Sequence, residues 1–282
     1  MLHTVEELEK DYAVRVAYVA LDAYGNPELS DLERLLQQDD TKKMVSLMHI
    51  NNEIGNKIPI AEIAKLCKKN DALLHSDTVQ SIGHYTWDLQ EVPIDFLTAA
   101  AHKFHGPKGV GFAFIRKNTP MKSLIFGGSQ ERGFRAGTES FHNIVGLETS
   151  FVAAYENLEK ERAYVSELKQ YFMNGLKKAI PKLKFNGYSG DMDQSTYTLV
   201  NVCLPFSAEK GMLLLFHLDL KGIACSKGSA CQSGSSKGSH VLTEILSEAD
   251  IQKPSLRFSF SKYNTKEDLD YTIAALKEFS EN

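Results

Sequence analysis

Cysteine, tryptophan and long apolar runs are scarce in this sequence, which has four cysteines and one tryptophan among 282 residues. The cysteines are irregularly spaced and form no Cys-x-x-Cys pair, which excludes a disulfide framework and a common zinc motif. No stretch reaches the roughly 20 apolar residues that cross a bilayer, and residues 1–10 contain no apolar signal core. We therefore expect a cytoplasmic protein without a membrane segment.

Positive charge is not in excess either. The sequence has 32 Lys and Arg against 36 Asp and Glu, a net charge of −4, so nucleic acid is not an expected partner. With 43% hydrophobic and 24% charged residues, the composition is that of a globular protein with one large core or two modest ones. The same numbers exclude disordered, collagen-like and coiled-coil proteins.

Two periodicities alternate over residues 1–120. Short β-rich apolar runs separated by helical patterns are typical of helices packed on a mostly parallel sheet, which places the chain in the α/β class. The predicted strands are 14–21, 44–49, 72–75, 96–99 and 109–115, and the predicted helices are 28–38, 60–70 and a short one after Thr78. Helical spacing with Ile60, Ile63 and Ala64 predicts that Cys67 faces a core.

The rest of the sequence predicts a small α+β domain. A helical pattern without internal proline runs from Asn143 to Ala179 and predicts one long interdomain helix. Further strands are predicted at 198–204 and 255–261, and further helices at 209–218 and 266–279. The Gly- and Ser-rich stretch 226–239 predicts a mobile loop. We expect two domains, 1–142 with the large sheet and 143–282 with the interdomain helix and the small domain.

Polar residues at three predicted strand ends are the candidates for chemistry. Lys103 follows one strand, Asp77 and Gln80 follow another, and Asn52 follows a third. Ligands gather at strand ends in an open α/β sheet, and a half-buried lysine can form a Schiff base with an aldehyde. An acid can hold a pyridine nitrogen protonated, and amides can bond to ring oxygens. The set predicts a pyridoxal phosphate site, with a solvated loop lysine as the alternative for Lys103.

Six sequence blocks resemble the NifS-like cysteine desulfurases, in the class V branch of fold type I pyridoxal-phosphate enzymes. In the order of that family they are 49–55, 75–83, 101–109, 127–138, 228–231 and 255–259. The resemblance implies a fold type I large domain with a small C-terminal domain. It implies conversion of L-cysteine to L-alanine through an enzyme persulfide, with sulfur passed to an acceptor or scaffold protein for iron–sulfur assembly or tRNA thiolation. Two alternatives stay open: another class V reaction, such as transamination or selenocysteine lysis, or an inactive homologue that only binds or dimerises.

The resemblance also implies roles for single residues around the cofactor. Lys103 would bind pyridoxal phosphate covalently and move protons on the substrate, with His102 lying against the cofactor. Asp77 would pair with the pyridinium nitrogen. Gln80 and Asn52 would address the ring oxygen and the incoming amino acid.

Three further residues are implied to serve substrate and sulfur. Arg257 would bind the substrate carboxylate, with a surface ion pair as the alternative, and Thr138 would reach the phosphate bound in the neighbouring subunit of a homodimer with shared sites. Cys231, in the polar loop, would take the sulfur and could ligate an iron–sulfur cluster transiently. Cys225 ends an apolar run, so we interpret it as a core residue, with a second thiol role as the alternative.

Two departures from the family concern the phosphate. The resemblance implies that about 100 family residues, including the loop that holds the phosphate at a helix N-terminus, precede the matched region. Ala100 stands where family members usually carry a serine that bonds to the phosphate. We expect a fragment or mis-started reading of a full enzyme, a chain that needs an N-terminal partner, or an inactive form.

Overall fold

The computed structural model describes residues 2–227 and 238–281, and its first sheet contains four strands. They are β1 (Met44–Met48), β2 (Leu73–Asp77), β3 (Phe96–Ala100) and β4 (Gly111–Ile115), hydrogen-bonded in that order. Strands β1 to β3 are parallel, and β4 runs antiparallel to β3. The expectation of a mostly parallel α/β sheet is confirmed.

Two helices cover one face of this sheet. Apolar side chains recur at helical spacing in α2 (Leu29–Leu36) and α3 (Ile60–Lys69), so each helix buries one stripe. The stripe of α3 includes Cys67, which is 1% exposed and packs in the same core as Leu74 and Leu97 of the sheet. The core position predicted for Cys67 is confirmed, and burial raises the pKa of its thiol to about 12.

Two predicted elements in this half are wrong. Residues 14–21 form no strand in the described chain, where only an isolated bridge joins Leu21 to Pro27, and Val14 and Tyr18 are exposed. The alternating apolar pattern alone did not make a strand there, because a strand also needs a neighbour that takes its hydrogen bonds. Helix α1 (Leu2–Tyr12) precedes this segment and buries no residue. After Thr78 the chain forms consecutive turns rather than a short helix.

The predicted long helix is two helices. They are α4 (Phe141–Glu156) and α5 (Leu158–Ala179), separated at Asn157, whose φ of −110° and ψ of 7° are not helical. An asparagine forms local side-chain bonds that compete with helix, and here its Nδ2 donates to the Ala153 carbonyl at 3.2 Å. The sequence predicted a single helix because the helical spacing of residues continues through Asn157 and no proline interrupts it.

The second sheet is antiparallel and smaller. It contains β5 (Lys184–Phe185), β6 (Leu199–Cys203) and β7 (Ser255–Ser259), with β6 in the centre. Helices α5, α6 (Ala208–Leu220) and α9 (Lys266–Glu281) supply buried residues to its core, while α7 (His240–Ile245) and α8 (Glu248–Ile251) are short. The strands and helices predicted after residue 197 are thus present, and the domain division at 142/143 stays a prediction.

Main-chain hydrogen bonds join the two sheets next to the strand ends. The Thr196 N–H donates to the Gly55 carbonyl at 2.8 Å, and the Lys57 N–H donates to the Gln194 carbonyl at 2.9 Å. Lys169 of α5 lies fully buried behind this junction. The loop after β1 is therefore held against the segment that leads into β6. No helix in residues 2–227 and 238–281 has the length and apolar content to cross a membrane.

Candidate active site

The carboxyl ends of β1 and β2 place Asp77 beside the loop that carries Asn52. Asp77 is the last residue of β2, in register with Met48 of β1 and Thr98 of β3, and its carbonyl accepts from the His49 N–H at 3.0 Å. One carboxylate oxygen of Asp77, Oδ1, accepts from the Val79 N–H at 3.0 Å. Oδ2 accepts no hydrogen bond from the described residues, so it can serve a ligand.

Lys103 lies in a single 3₁₀ turn that directly follows β3. The turn spans Ala101–Phe104, and its period of three puts Ala101 and Phe104 on the same buried face. His102 and Lys103 fall between them and are exposed. His105 ends the turn in the left-handed region at φ 67°. The side chain of Lys103 makes no hydrogen bond or ion pair within the described part of the chain, so its amine is available.

A cleft of about 150 Å³ brings Lys103 and Gln80 together. It lies between the two sheets, because its walls also include residues of β6 and β7. The lining residues from the second half are Glu161, Val165, Tyr197, Thr198, Leu199, Ser259, Phe260, Ser261 and Lys262. Asp77, Asn52 and Arg257 are not among the lining residues, so the cleft unites only part of the predicted set.

Asn52 and Arg257 form a second group. Arg257 lies in the middle of β7 and is half-buried, and its Nη1 donates to the Asn52 carbonyl at 2.8 Å. Its main-chain N–H donates to the Ser226 carbonyl at 2.8 Å, and its Nη2 donates to Ser226 Oγ at 3.3 Å. Arg257 is therefore held by main-chain and side-chain partners at a half-buried position. It joins the loop after β1 to Ser226, where the polar stretch begins.

The other end of the polar stretch reaches the same loop. Ser239 caps α7 by accepting from the Leu242 N–H, and its hydroxyl also donates to Glu53. The Glu53 side chain is 1% exposed. Ser226 and Ser239 are thus fixed by residues 52, 53 and 257, although the predicted sulfur carrier, Cys231, lies outside the described residues.

The remaining predicted residues are separate from these groups. Thr138 is exposed in the segment before α4, near Leu124 and Phe126 in sequence, whose side chains are 92% and 86% exposed. Cys225 is partly buried against the core of the second sheet, and burial raises the pKa of its thiol to about 11. These surroundings agree with a core position for Cys225. Within residues 2–227 and 238–281 there is no cluster of three metal-ligating side chains.

Three residues with direct structural links to the site escaped the sequence analysis. His84 bonds to the Lys103 carbonyl, Glu53 bonds to Ser239, and Lys169 supports Ser195 and Thr196 at the junction of the sheets. His84 follows the matched block 75–83 directly. Lys169 interrupts the apolar stripe of α5, which was a usable signal. Glu53 lies inside a matched block, where only its neighbour Asn52 was singled out.

The free groups of the site fit pyridoxal phosphate on its ring side. The Lys103 amine and Asp77 Oδ2, which have no partner among residues 2–227 and 238–281, and the Gln80 amide match an aldehyde, a pyridine nitrogen and a ring oxygen. At the end of β3, Ala100 provides a methyl group and no hydroxyl, so this position adds no bond to the phosphate. The donor set thus fits the cofactor ring, with one phosphate contact fewer than the family pattern.

Comparisons with known proteins give one family. The aminotransferase class-V model matches residues 1–272. Cysteine desulfurase IscS of Dictyoglomus turgidum is 38% identical over 279 residues, with 99% of this chain and 68% of that protein covered. Cysteine desulfurase IscS of Clostridium botulinum (strain Hall) is 41% identical over 276 residues, with 98% and 68% covered. A solved NifS-like protein superposes with a TM-score of 0.87 at 32% identity, with 99% of this chain and 72% of that chain covered. The chain spans about two thirds of the two desulfurases and belongs to the aminotransferase class-V family.

Proposed function

We propose that this protein is a pyridoxal-phosphate-dependent cysteine desulfurase that converts L-cysteine to L-alanine and passes the sulfur to an acceptor protein. The observation that carries the proposal is the cleft in which Lys103 and Gln80 meet, at the ends of β3 and β2. Asp77 lies three residues before Gln80 at the same sheet edge. The names of the relatives, cysteine desulfurase IscS, support this choice within the class V family.

Three residues would hold the cofactor. Lys103 would bind it through its free amine, Asp77 would keep the pyridine nitrogen protonated, and Gln80 would donate to the ring oxygen. When bound, pyridoxal phosphate draws electrons from the substrate Cα and so permits cleavage of the Cβ–S bond. Lys103 would then carry protons to and from the substrate carbon, because the residue lines the cleft and its amine has no competing ion pair among the described residues. The exposed His102 would lie against the cofactor.

Arg257 and Asn52 would bind the amino-acid substrate. The guanidinium of Arg257 donates to the Asn52 carbonyl and to Ser226 Oγ. A guanidinium is also the side-chain group whose planar fork matches a carboxylate, and the carboxylate of L-cysteine is such a group. Since Arg257 is held from two sides, its side chain is ordered before the substrate arrives, which lowers the entropic cost of binding.

Cys231 would take the sulfur. Its thiolate attacks the sulfur atom of the bound substrate, so an S–S bond forms while the Cβ–S bond breaks. The products are L-alanine and a persulfide on Cys231, and no external oxidant is needed. The acceptor's own thiolate then takes the outer sulfur, which regenerates the thiol. Iron–sulfur assembly and tRNA thiolation are the two uses we propose, with transient ligation of a cluster by Cys231 in the first.

We also propose a homodimer with shared sites. The segment before α4 exposes Leu124 and Phe126 at 92% and 86%, and Phe141, the first residue of α4, is 76% exposed. Large apolar side chains with this degree of exposure are candidates for burial in a protein interface. Thr138 lies in the same segment and would reach the phosphate bound in the partner subunit. Equilibrium sedimentation of the wild type and of Phe126→Ser would test this, since a monomeric wild type contradicts the dimer.

The function itself is tested with purified protein, pyridoxal phosphate and L-cysteine. Wild type should develop the absorbance of the cofactor bound to an amine, and Lys103→Ala should not, whereas Lys108→Ala, an exposed lysine in the adjoining turn, should behave as wild type. Persulfide should form in wild type and in Cys225→Ser but not in Cys231→Ser. Equimolar alanine and persulfide supports desulfuration. A keto acid product would indicate a transaminase, and a colourless wild type would indicate a non-catalytic binding protein.

A further inference from the structure

The main chain of Lys103 has a side-chain partner outside its own turn. His84 Nε2 lies 2.9 Å from the Lys103 carbonyl oxygen. A carbonyl only accepts, so Nε2 carries the proton and donates it. The other ring nitrogen, Nδ1, lies 3.3 Å from the Tyr197 hydroxyl, which also lies 3.1 Å from the His84 carbonyl. His84 therefore stands between the turn of Lys103 and the segment that leads into β6.

Residues 83–85 pack directly against the turn that carries Lys103, and other parts of the chain hold them in place. Gly83 has φ +80°, and a Cβ on it would lie 2.5 Å from Cβ of Phe104, so the two segments touch main chain to side chain. The Gly83 N–H donates to the Tyr155 hydroxyl at 3.3 Å, and that hydroxyl donates to the Tyr85 carbonyl at 3.2 Å. The Tyr85 hydroxyl donates to Thr196 Oγ1 at 3.2 Å. Residues 83–85 are thus held in place by Tyr155 of α4 and by Thr196 at the junction of the sheets.

We propose that His84 is a positioning residue for Lys103: the bond from Nε2 to the Lys103 carbonyl sets the direction in which the amine enters the cleft. The inference rests on the proposed function, in which Lys103 binds the cofactor. It goes beyond that function by assigning a role to a residue that does not touch the substrate or the reacting atoms. Lys103 has four flexible side-chain bonds, so a fixed main chain is what limits the region its amine can sample.

The surroundings of His84 favour the neutral imidazole with its proton on Nε2, which is the form that can donate to the Lys103 carbonyl. Burial lowers the pKa of the imidazole, and the nearby His105 lowers it further, while the Lys103 carbonyl and Glu161 oppose the change. The net direction is downward, so the ring is neutral at neutral pH and holds a single proton. The acceptor on Lys103 keeps that proton on Nε2. Nδ1 is then an acceptor, and it shares the single hydroxyl proton of Tyr197 with the closer His84 carbonyl.

Two substitutions distinguish a hydrogen-bonding role of His84 from a role that depends only on the volume of its ring. His84→Gln keeps a side-chain N–H about as far from the main chain as Nε2, so it can still reach the Lys103 carbonyl. His84→Asn places its amide near the position of Nδ1, too short for the carbonyl. Both replacements are polar and uncharged, and both remove the ring. A role in shape alone predicts that they act alike.

The first measurement uses the full chain without cofactor. Histidine ¹⁵N spectra of the wild type should show the Nε2–H form of His84, and the ¹³C shift of the Lys103 carbonyl should change in His84→Asn but hardly in His84→Gln. An Nδ1–H form, or a Lys103 carbonyl shift unchanged in His84→Asn, would overturn the proposal. This result does not depend on whether the protein binds pyridoxal phosphate.

The second measurement is capture of pyridoxal phosphate at Lys103, trapped with borohydride and quantified on the Lys103 peptide. His84→Asn should raise the half-saturating concentration about five- to tenfold, the change expected for one lost hydrogen bond, and His84→Gln about twofold at most. His84→Asn should unfold no more than a few degrees below His84→Gln, the difference that one lost hydrogen bond gives. Equal losses in the two variants, or no loss in either, would contradict the proposal. A wild type with no capture at Lys103 would refute the proposed function, and the spectra would still decide the contact of His84.

Discussion

The guanidinium of Arg257 donates to the main-chain carbonyl of Asn52 at 2.8 Å, although 205 residues separate them in the sequence. The same arginine binds Ser226, and the neighbour of Asn52, Glu53, accepts from Ser239. Arg257 and Glu53, the neighbour of Asn52, therefore hold Ser226 and Ser239, which flank the segment that contains Cys231. Substrate binding and sulfur removal would share one set of contacts.

Ser239→Ala tests the anchoring of that segment. The substitution removes the cap of α7 and leaves the buried Glu53 carboxylate without its hydroxyl partner. A lost cap costs about 1 kcal/mol, and an unsatisfied buried acceptor costs about 1–3 kcal/mol more. Ser247→Ala is the matched control, because Ser247 caps α8 in the same way without a second bond to a buried carboxylate. Urea unfolding should show the larger loss for Ser239→Ala, and equal losses would mean that the Glu53 contact adds nothing.

Arg257→Lys tests the substrate role. Lysine keeps the positive charge, but its three donors radiate from one nitrogen and lack the planar fork that binds a carboxylate through two parallel bonds. We expect the KM for L-cysteine to rise by about tenfold or more, with a smaller change in kcat, because the carboxylate is bound in both the ground and transition states. Steady-state alanine formation measures both constants. An unchanged KM would remove Arg257 from the substrate site.

The sequence predicted the site residues that lie at strand ends. It did not predict those that depend on contacts between residues far apart in the chain. Asp77 and Lys103 directly follow apolar runs, so the periodicity of the sequence placed them at one sheet edge. The bond from His84 to the Lys103 carbonyl leaves no pattern, since a main-chain acceptor is the same for every residue type. The wrong strand at 14–21 shows the same limit, because alternation does not reveal whether a partner strand is available.

Ala100→Ser tests the missing phosphate contact. Ala100 ends β3, immediately before the turn of Lys103, and it is partly buried. A serine hydroxyl here would add one hydrogen bond to a charged group, worth about 1.5–3 kcal/mol. We expect the dissociation constant for pyridoxal phosphate to fall by about tenfold or more. Fluorescence titration of Ala100→Ser against Ala100→Thr, whose hydroxyl is similar but whose side chain is bulkier, gives the measurement. An unchanged constant would show that the phosphate lies away from β3.

Lys169 predicts a pH dependence of stability. Its side chain is fully buried in α5, where Nζ donates to Ser195 Oγ and to the Thr196 carbonyl, each at 2.7 Å. Burial lowers the pKa of this amine from 10.5 to about 7, and Asp191 opposes the shift only in part. Between these two pH values the unfolded chain holds a proton that the native chain has released. The free energy of unfolding therefore rises with pH across this window.

Replacing Lys169 by methionine should remove that slope. The pH dependence of wild-type unfolding minus that of Lys169→Met should rise by up to about 1.4 kcal/mol per pH unit above pH 7 and level off below it. Lys178→Met, an exposed lysine on the same helix, is the control and should leave the dependence as in wild type. Urea titrations between pH 6 and 9.5 measure the difference. Parallel curves for wild type and Lys169→Met would mean that the buried amine keeps its proton, so that Ser195 and Thr196 bind a charged lysine throughout.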